Sequence, residues 1–166
     1  MISPAGQDAL QRWLDTQAAL NGVADNTLIA YRGDVGEFLT FLCVHKGAPQ
    51  GVTPLTQVSV QDMRAWMARC RASGMSSRSL ARKLSAIKSF YRWFSEHQGF
   101  DPTAILSMRA PKFQKKLPRP LSPHAAKEVI NTVDVQSSAP WVGARDIAIM
   151  TLLYGCGLRI SEALGL

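Results

Sequence analysis

Apolar residues recur at spacings of three and four along most of this 166-residue chain, which is the repeat of an α-helix that buries one face. The clearest repeat lies between residues 76 and 97, where one apolar set falls within about 40° of a common direction at about 100° per residue. The set is Leu80, Leu84, Ile87, Tyr91 and Phe94. Glycines and prolines interrupt the repeats, as they do between helices. The chain is therefore predicted to be all-α.

Capping residues, whose side-chain oxygens accept hydrogen bonds from unpaired backbone amides, indicate where the helices begin. Asp25 or Asn26 is expected to cap the second helix, and Ser59 lies near the start of the third. Ser122 followed by Pro123 is a typical start of a later helix. The predicted helices cover about residues 4–20, 26–42, 59–73, 76–97, 122–133, 141–154 and 158–164, and residues 49–54 are predicted to be loop.

The net charge of +7 is concentrated in one part of the chain. Residues 1–60 carry a net charge of −2, residues 61–120 carry +10 and residues 121–166 carry −1. A localised basic block favours a polyanionic partner such as nucleic acid. A basic surface that is merely solvated is the alternative explanation.

The helix predicted over residues 76–97 carries basic and hydroxyl side chains opposite its apolar set. Arg78, Arg82, Ser85, Ser89 and Arg92 share this face, and Lys83 and Lys88 flank it. Arginine can donate two hydrogen bonds to a phosphate or to a guanine edge, and serine can donate to phosphate oxygens. An ordinary solvated helix face usually supplies acidic partners for its arginines, and this face has none between Arg78 and Arg92. The contrast favours DNA binding.

Residues 99–120 change in character, because prolines alternate there with basic side chains that include Lys115 and Lys116. Proline blocks helix continuation, and like charges extend the chain. The stretch is either a linker that tracks along a phosphate backbone or a simple flexible tether. The predicted division is a DNA-binding domain over residues 1–108, a basic linker over 109–121 and the start of a second domain over 122–166.

Several classes of protein are excluded by composition and pattern. No stretch of 18 uncharged apolar residues is present, so no membrane span is expected, and the first residues lack the pattern of a secretory signal. The three cysteines, Cys43, Cys70 and Cys156, lie within apolar helical repeats. They are expected to be buried, reduced thiols of a cytoplasmic bacterial protein.

Familiar catalytic and metal-binding motifs are also missing from the sequence. The histidines His45, His97 and His124 have no partners at the spacing of metal ligands, and no metal site is predicted. Tyr31, Tyr91 and Tyr154 lie on apolar stripes and are expected in the core. Arg159 follows a glycine break near the start of a short helix, three residues before Glu162. It is either a local ion pair or a functional residue, and physical reasoning alone does not choose.

Four segments of the chain carry a family resemblance. Residues 152–164, which read LLYGCGLRISEAL, resemble the first catalytic-arginine motif of the tyrosine site-specific recombinases, the phage integrase family. Residues 27–34 (TLIAYRGD) resemble the second helix of the N-terminal DNA-clamping domain of that family, and residues 79–94 its fourth helix. Residues 111–122 resemble the interdomain linker and the entry to the catalytic domain. The resemblance covers nearly the whole chain in the right order.

The resemblance implies a SAM-like four-helix DNA-clamping domain, followed by the first helices of a catalytic domain. It implies that the complete protein cuts and rejoins DNA through a 3′-phosphotyrosyl intermediate without a cofactor, together with a second recombinase in a tetrameric complex. Only Arg159 and its supporting Glu162 match the family's catalytic set. The His-x-x-Arg motif, the hairpin lysine and the tyrosine nucleophile are expected beyond Leu166, so the chain is expected to be a fragment that binds DNA without cutting it.

The residues expected to contact DNA are Thr27, Arg78, Arg82, Lys83, Ser85, Ser89, Arg92, Lys115 and Lys116. A non-catalytic DNA-binding module, a phage-type integrase and a module for an acidic protein partner are the alternatives. An incomplete second domain is also expected to leave apolar helix faces uncovered between residues 141 and 153.

Overall fold

The computed structural model describes residues 2–47, 51–113, 120–136 and 139–166, and all regular structure within these ranges is α-helical. The all-α prediction is therefore confirmed. The helices are α1 (Pro4–Asn21), α2 (Asp25–His45), α3 (Val52–Thr56), α4 (Val60–Ala72), α5 (Ser77–Gln98), α6 (Thr103–Leu106), α7 (Pro123–Gln136), α8 (Pro140–Gly155) and α9 (Ile160–Ala163). Contacts divide the chain into two units, residues 1–114 and residues 115–166.

Serine side chains cap four of these helices: Ser3 accepts from the backbone N–H of Gly6 at the start of α1, and three more serines lie at helix starts that the sequence predicts. Ser59 accepts from the backbone N–H of Asp62 while Asp62 accepts from the backbone N–H of Ser59, which forms a capping box. Ser76 caps α5 through the N–H of Ser79, and Ser122 accepts from the N–H of Ala125. The donors that open a helix are thereby satisfied within a few residues of chain, so local sequence determines these boundaries.

The Asp62 carboxylate also lies 3.3 Å from the Nε2 atom of His45 and 3.3 Å from the Nζ atom of Lys46. Burial acts to raise the pKa of Asp62, but the hydrogen bonds from Ser59 and the charge of Lys46 together lower it below its ordinary value. The ionised carboxylate therefore stabilises the start of α4 and ties it to the end of α2.

Three of the expected local structures are wrong. The stretch of residues 99–120, expected to be a linker or a flexible tether, contains α6, whose Ile105 is 1% exposed. The N-cap of α2 is Ala24, which makes no side-chain hydrogen bond, because the chain turns helical at Asp25 itself. Asp25 lies instead in the first turn, where a carboxylate is favourable beside the positive end of the helix dipole. The stretch expected to be loop contains α3, whose Leu55 is only 1% exposed, and burial of this side chain accounts for the short helix.

The core of the first unit is built from α1, α2, α4 and α5. Every member of the predicted apolar set on α5 is at most 1% exposed, from Leu80 to Phe94. Trp13 is fully buried, stacks on Tyr31 at a centroid distance of 5.2 Å and meets Phe90 edge-on at 5.6 Å. This aromatic cluster holds α5 in place, so the opposite face of α5 is presented on a rigid support.

The second unit consists of α7 packed on α8, with α9 packed on α8. Large apolar side chains are exposed on it, including Trp141 at 67% and Leu164 at 69%. Tyr154 is 51% exposed and Cys156 is also exposed, so the expectation of burial is wrong for both. Cys43 and Cys70 are buried free thiols, as expected.

No helix in the described ranges is long and apolar enough to cross a membrane.

Candidate DNA-binding interface

The polar face of α5 lies opposite the aromatic core. Arg78, Arg82, Ser85 and Arg92 are exposed, and Ser89 is half-buried. Fourteen positions separate Arg78 from Arg92, which corresponds to about 21 Å along the helix axis at about 1.5 Å per residue. We call the side chains of Arg78, Arg82 and Arg92 the arginine face.

Arg82 has an acidic partner that its own helix does not supply. Its two terminal guanidinium nitrogens donate to the two carboxylate oxygens of Asp34 on α2, at 2.5 Å and 2.9 Å. The Asp34 side chain is 5% exposed, whereas that of Arg82 is 53% exposed. The sequence expectation of a face without acidic partners is therefore wrong at Arg82, because the partner lies 48 residues away along the chain.

The sequence predicts Lys83 on the flank of the basic face of α5, but the structure buries this residue. The residue is 8% exposed, and its ammonium donates to Glu37 and lies 4.0 Å from Asp34. In this arrangement the charge of Lys83 faces two carboxylates of α2. Direct contact with DNA by Lys83 therefore requires both of these pairs to open.

Asp34 is thus a buried carboxylate between two cations. Burial, the largest effect, raises its pKa above the ordinary value even though Arg82 and Lys83 act to lower it. Ionisation of Asp34 is consequently less favourable in the folded protein than in water, and its ion pairs do not fully repay its loss of hydration.

Arg78 and Arg92 make no ion pair with any residue that the structure describes. The same holds for Arg64 and Arg71 on α4, which belong to the basic block but were not singled out from the sequence. Arg69, also on α4, lies over the ring of Phe41 at 5.8 Å from its centroid. Arg64 and Arg71 are seven residues apart and therefore lie on one face of α4, which is the sequence signal that could have found them.

Of the remaining expected contacts, Thr27 lies within the described residues. Thr27 is exposed in the first turn of α2. Phe113, from the beginning of the predicted linker, lines a shallow pocket together with Arg78, Ser79 and Arg82. Lys115 and Lys116 lie outside the described residues.

Arg159 immediately precedes α9 in the second unit. Glu162 accepts hydrogen bonds from its backbone N–H at 2.8 Å and from its guanidinium at 2.9 Å. The Arg159 side chain is nevertheless 83% exposed, so most of its donors are available to a ligand. Within the described residues, no group of three or more histidines, cysteines or carboxylates is arranged to hold a metal ion.

Residues 10–98 match the family model described as phage integrase, N-terminal SAM-like domain. The chain belongs to this family. The match spans α1 to α5 apart from the first residues of α1, and it includes the whole arginine face. The resemblance seen in the sequence is thereby confirmed.

Curated relatives extend the similarity along nearly the whole chain. A protein named tyrosine recombinase XerC from Rhodospirillum centenum is 40% identical over 163 residues, which cover 98% of this chain and 48% of the relative. XerC of Brucella suis biovar 1 is 39% identical over 168 residues, covering 99% and 53%. XerC of Bradyrhizobium diazoefficiens is 40% identical over 166 residues, covering 98% and 51%. The chain spans about half the length of the curated relatives it matches. No solved structure matches it.

Proposed function

We propose that this chain is the DNA-binding half of a XerC-type tyrosine recombinase and that α5 contacts duplex DNA through the arginine face. The observation that carries the proposal is the row of exposed arginines on a helix whose other face is fixed in the core of an integrase-type domain. The major groove of B-DNA is about 12 Å wide and admits an α-helix. Arg78 and Arg92 can neutralise phosphates there, and α2, with Thr27 in its first turn, is the second helix at the groove.

The complete protein, on this proposal, is cytoplasmic and cuts and rejoins DNA through a 3′-phosphotyrosyl intermediate. Its substrate is a chromosomal recombination site, and its partner is a second, XerD-like recombinase in a tetrameric complex that resolves chromosome dimers. The names of the relatives and their identity along the chain support this assignment. The buried free thiols of Cys43 and Cys70 are compatible with a reducing compartment.

Arg159 is the proposed catalytic residue of this half. A phosphodiester gains negative charge on its non-bridging oxygens as it becomes pentacoordinate, and a guanidinium fork stabilises that state more than the ground state. Glu162 holds the Arg159 backbone and one terminal nitrogen, which leaves other N–H donors of the exposed side chain for phosphate oxygens. Attack by a tyrosine conserves the energy of the phosphodiester in a covalent intermediate, so rejoining needs no external energy source.

The proposal is tested by selecting duplexes from a random-sequence pool with the 166-residue chain and measuring Kd for the selected duplex and for a scrambled one. We expect salt-sensitive binding with a preference for the selected duplex. Poly-glutamate at equal charge concentration is the competitor control. If poly-glutamate displaces the chain from DNA as effectively as duplex DNA does, an acidic protein partner is the better assignment. If no duplex is bound at physiological salt, the proposal is wrong.

A further inference from the structure

The three arginines of the arginine face differ in how they are held. Arg78 and Arg92 have no ion-pair partner among the described residues. Arg82, in contrast, forms a bidentate ion pair with both oxygens of a carboxylate that belongs to another helix. An unrestrained arginine suits a phosphate, which can be approached from many directions, whereas a base edge must be met in one geometry.

The ion pair with Asp34 leaves Arg82 able to bind a ligand. A guanidinium carries five N–H donors, and Asp34 occupies two of them. Three N–H groups remain, and two of these lie side by side along one edge of the plane. Such an edge can donate to both acceptors of guanine, O6 and N7. The side chain is 53% exposed, so part of it is accessible to a ligand.

Asp34 is itself held in place. Its side chain is 5% exposed, and Lys83 lies 4.0 Å away on the side of Glu37. A chain of charges therefore runs from Glu37 through Lys83 and Asp34 to Arg82, and its members alternate between α2 and α5. Burial raises the pKa of Asp34, and a buried ion pair of this kind contributes little to stability but can enforce one arrangement of its partners.

We propose that Asp34 is a positioning residue for DNA sequence discrimination: it fixes the Arg82 guanidinium so that this arginine reads a base edge, guanine by preference, while Arg78 and Arg92 contact phosphates. This inference rests on the proposed DNA-binding function. A fixed donor loses little freedom when it meets its base and cannot reorient toward a wrong one. Discrimination is therefore expected to depend on a carboxylate that never touches DNA.

The test compares Kd for the selected duplex with Kd for the scrambled duplex in Asp34→Asn, Arg82→Ala and the double variant. We expect Asp34→Asn to lower the preference about tenfold, within the range of one bidentate base contact, and to leave binding to the scrambled duplex equal or tighter because a negative charge is removed. In the Arg82→Ala background, Asp34→Asn should change the preference no further. Asp8→Asn is the matched control, because this exposed carboxylate pairs with Arg12 on α1 and lies outside the chain of charges, and it should leave the preference unchanged.

Arg82→Lys keeps the charge and leaves Asp34 untouched, so it tests the inference even if Asp34→Asn fails to fold. It should reduce the preference to the level of Arg82→Ala, because lysine has no planar fork, while retaining the salt dependence.

The inference is overturned if either Asp34→Asn or Arg82→Lys keeps the wild-type preference, or if Asp34→Asn weakens both duplexes equally, as a purely structural defect would. It is also overturned if the wild-type chain binds duplex DNA without any sequence preference. Absence of all duplex binding would instead refute the proposed function.

Discussion

The salt dependence of DNA binding offers a quantitative test of the arginine face. Arg78 and Arg92 are both exposed and unpaired within the described residues, and they lie about 21 Å apart along α5. We consider the double variant Arg78→Ala, Arg92→Ala. Each phosphate neutralised contributes about −0.9 to the slope of log K against log salt. Loss of both contacts should make the slope about 1.8 less negative.

The magnitude follows from the same relation. A fourfold rise in salt, from about 50 to about 200 mM, weakens binding about 3.5-fold for each phosphate contact. Two phosphate contacts, from Arg78 and Arg92, correspond to about a 12-fold loss, and the double variant should lose this contribution to the salt dependence. Folding should be unaffected, because both side chains are on the surface and alanine is favourable in helices.

The assay is fluorescence anisotropy with a labelled scrambled duplex at five salt concentrations. The control is Arg12→Ala, Lys127→Ala, which removes two exposed charges that lie outside the basic block and should leave the slope unchanged. An unchanged slope in the α5 variant would refute the assignment of phosphate contacts to Arg78 and Arg92. An equal change in both variants would show that binding responds to total charge and not to this face.

Three further predictions concern the core, the start of α4 and the second unit. Trp13→Ala should lower the free energy of unfolding by about 3–5 kcal/mol in urea titrations, because this ring is fully buried, whereas Trp141→Ala at an exposed site should change it by less than about 0.5 kcal/mol. Burial acts to raise the pKa of Asp62, but hydrogen bonds from Ser59 help to lower it overall. Asp62→Asn should therefore cost about 1 kcal/mol near neutral pH, and the difference from wild type should vanish as the pH falls through the lowered carboxylate pKa; a cost that persists in acid would exclude this origin. In a chimera with the C-terminal half of Brucella suis XerC, Arg159→Lys should lower the cleavage rate of a nicked duplex about 100- to 1,000-fold, and a fall of less than about threefold would exclude a transition-state role.

The sequence predicts most of this fold because helix periodicity and serine caps are local properties. The apolar set on α5 and the starts at Ser59, Ser76 and Ser122 depend on residues within a turn or two of one another. The short helix α3 was not predicted because it is stabilised by the burial of Leu55, which is a tertiary contact. Burial at Cys156 was predicted wrongly for the same reason, since a helical repeat does not specify what packs against it.

The site was predictable only in part. The stripe of arginines on α5 follows from spacing, but the pairing of Arg82 with Asp34 joins residues 48 positions apart. Two of the three acidic residues of α2 are at positions 34 and 37, which places them on one side of the helix. Nothing in that spacing indicates which helix they face. The burial of Lys83 follows from the same packing of α2 on α5.

Phe113 lies beside the arginine face at the end of the first unit. This side chain lines the same pocket as Arg78 and Arg82, and it lies at the point where the first unit leads into the linker. A duplex that contacts these two arginines therefore meets the ring as well, and the ring must then pack on the nucleic acid or move aside. On the proposed DNA-binding function, a duplex at these two arginines therefore changes the surroundings of Phe113.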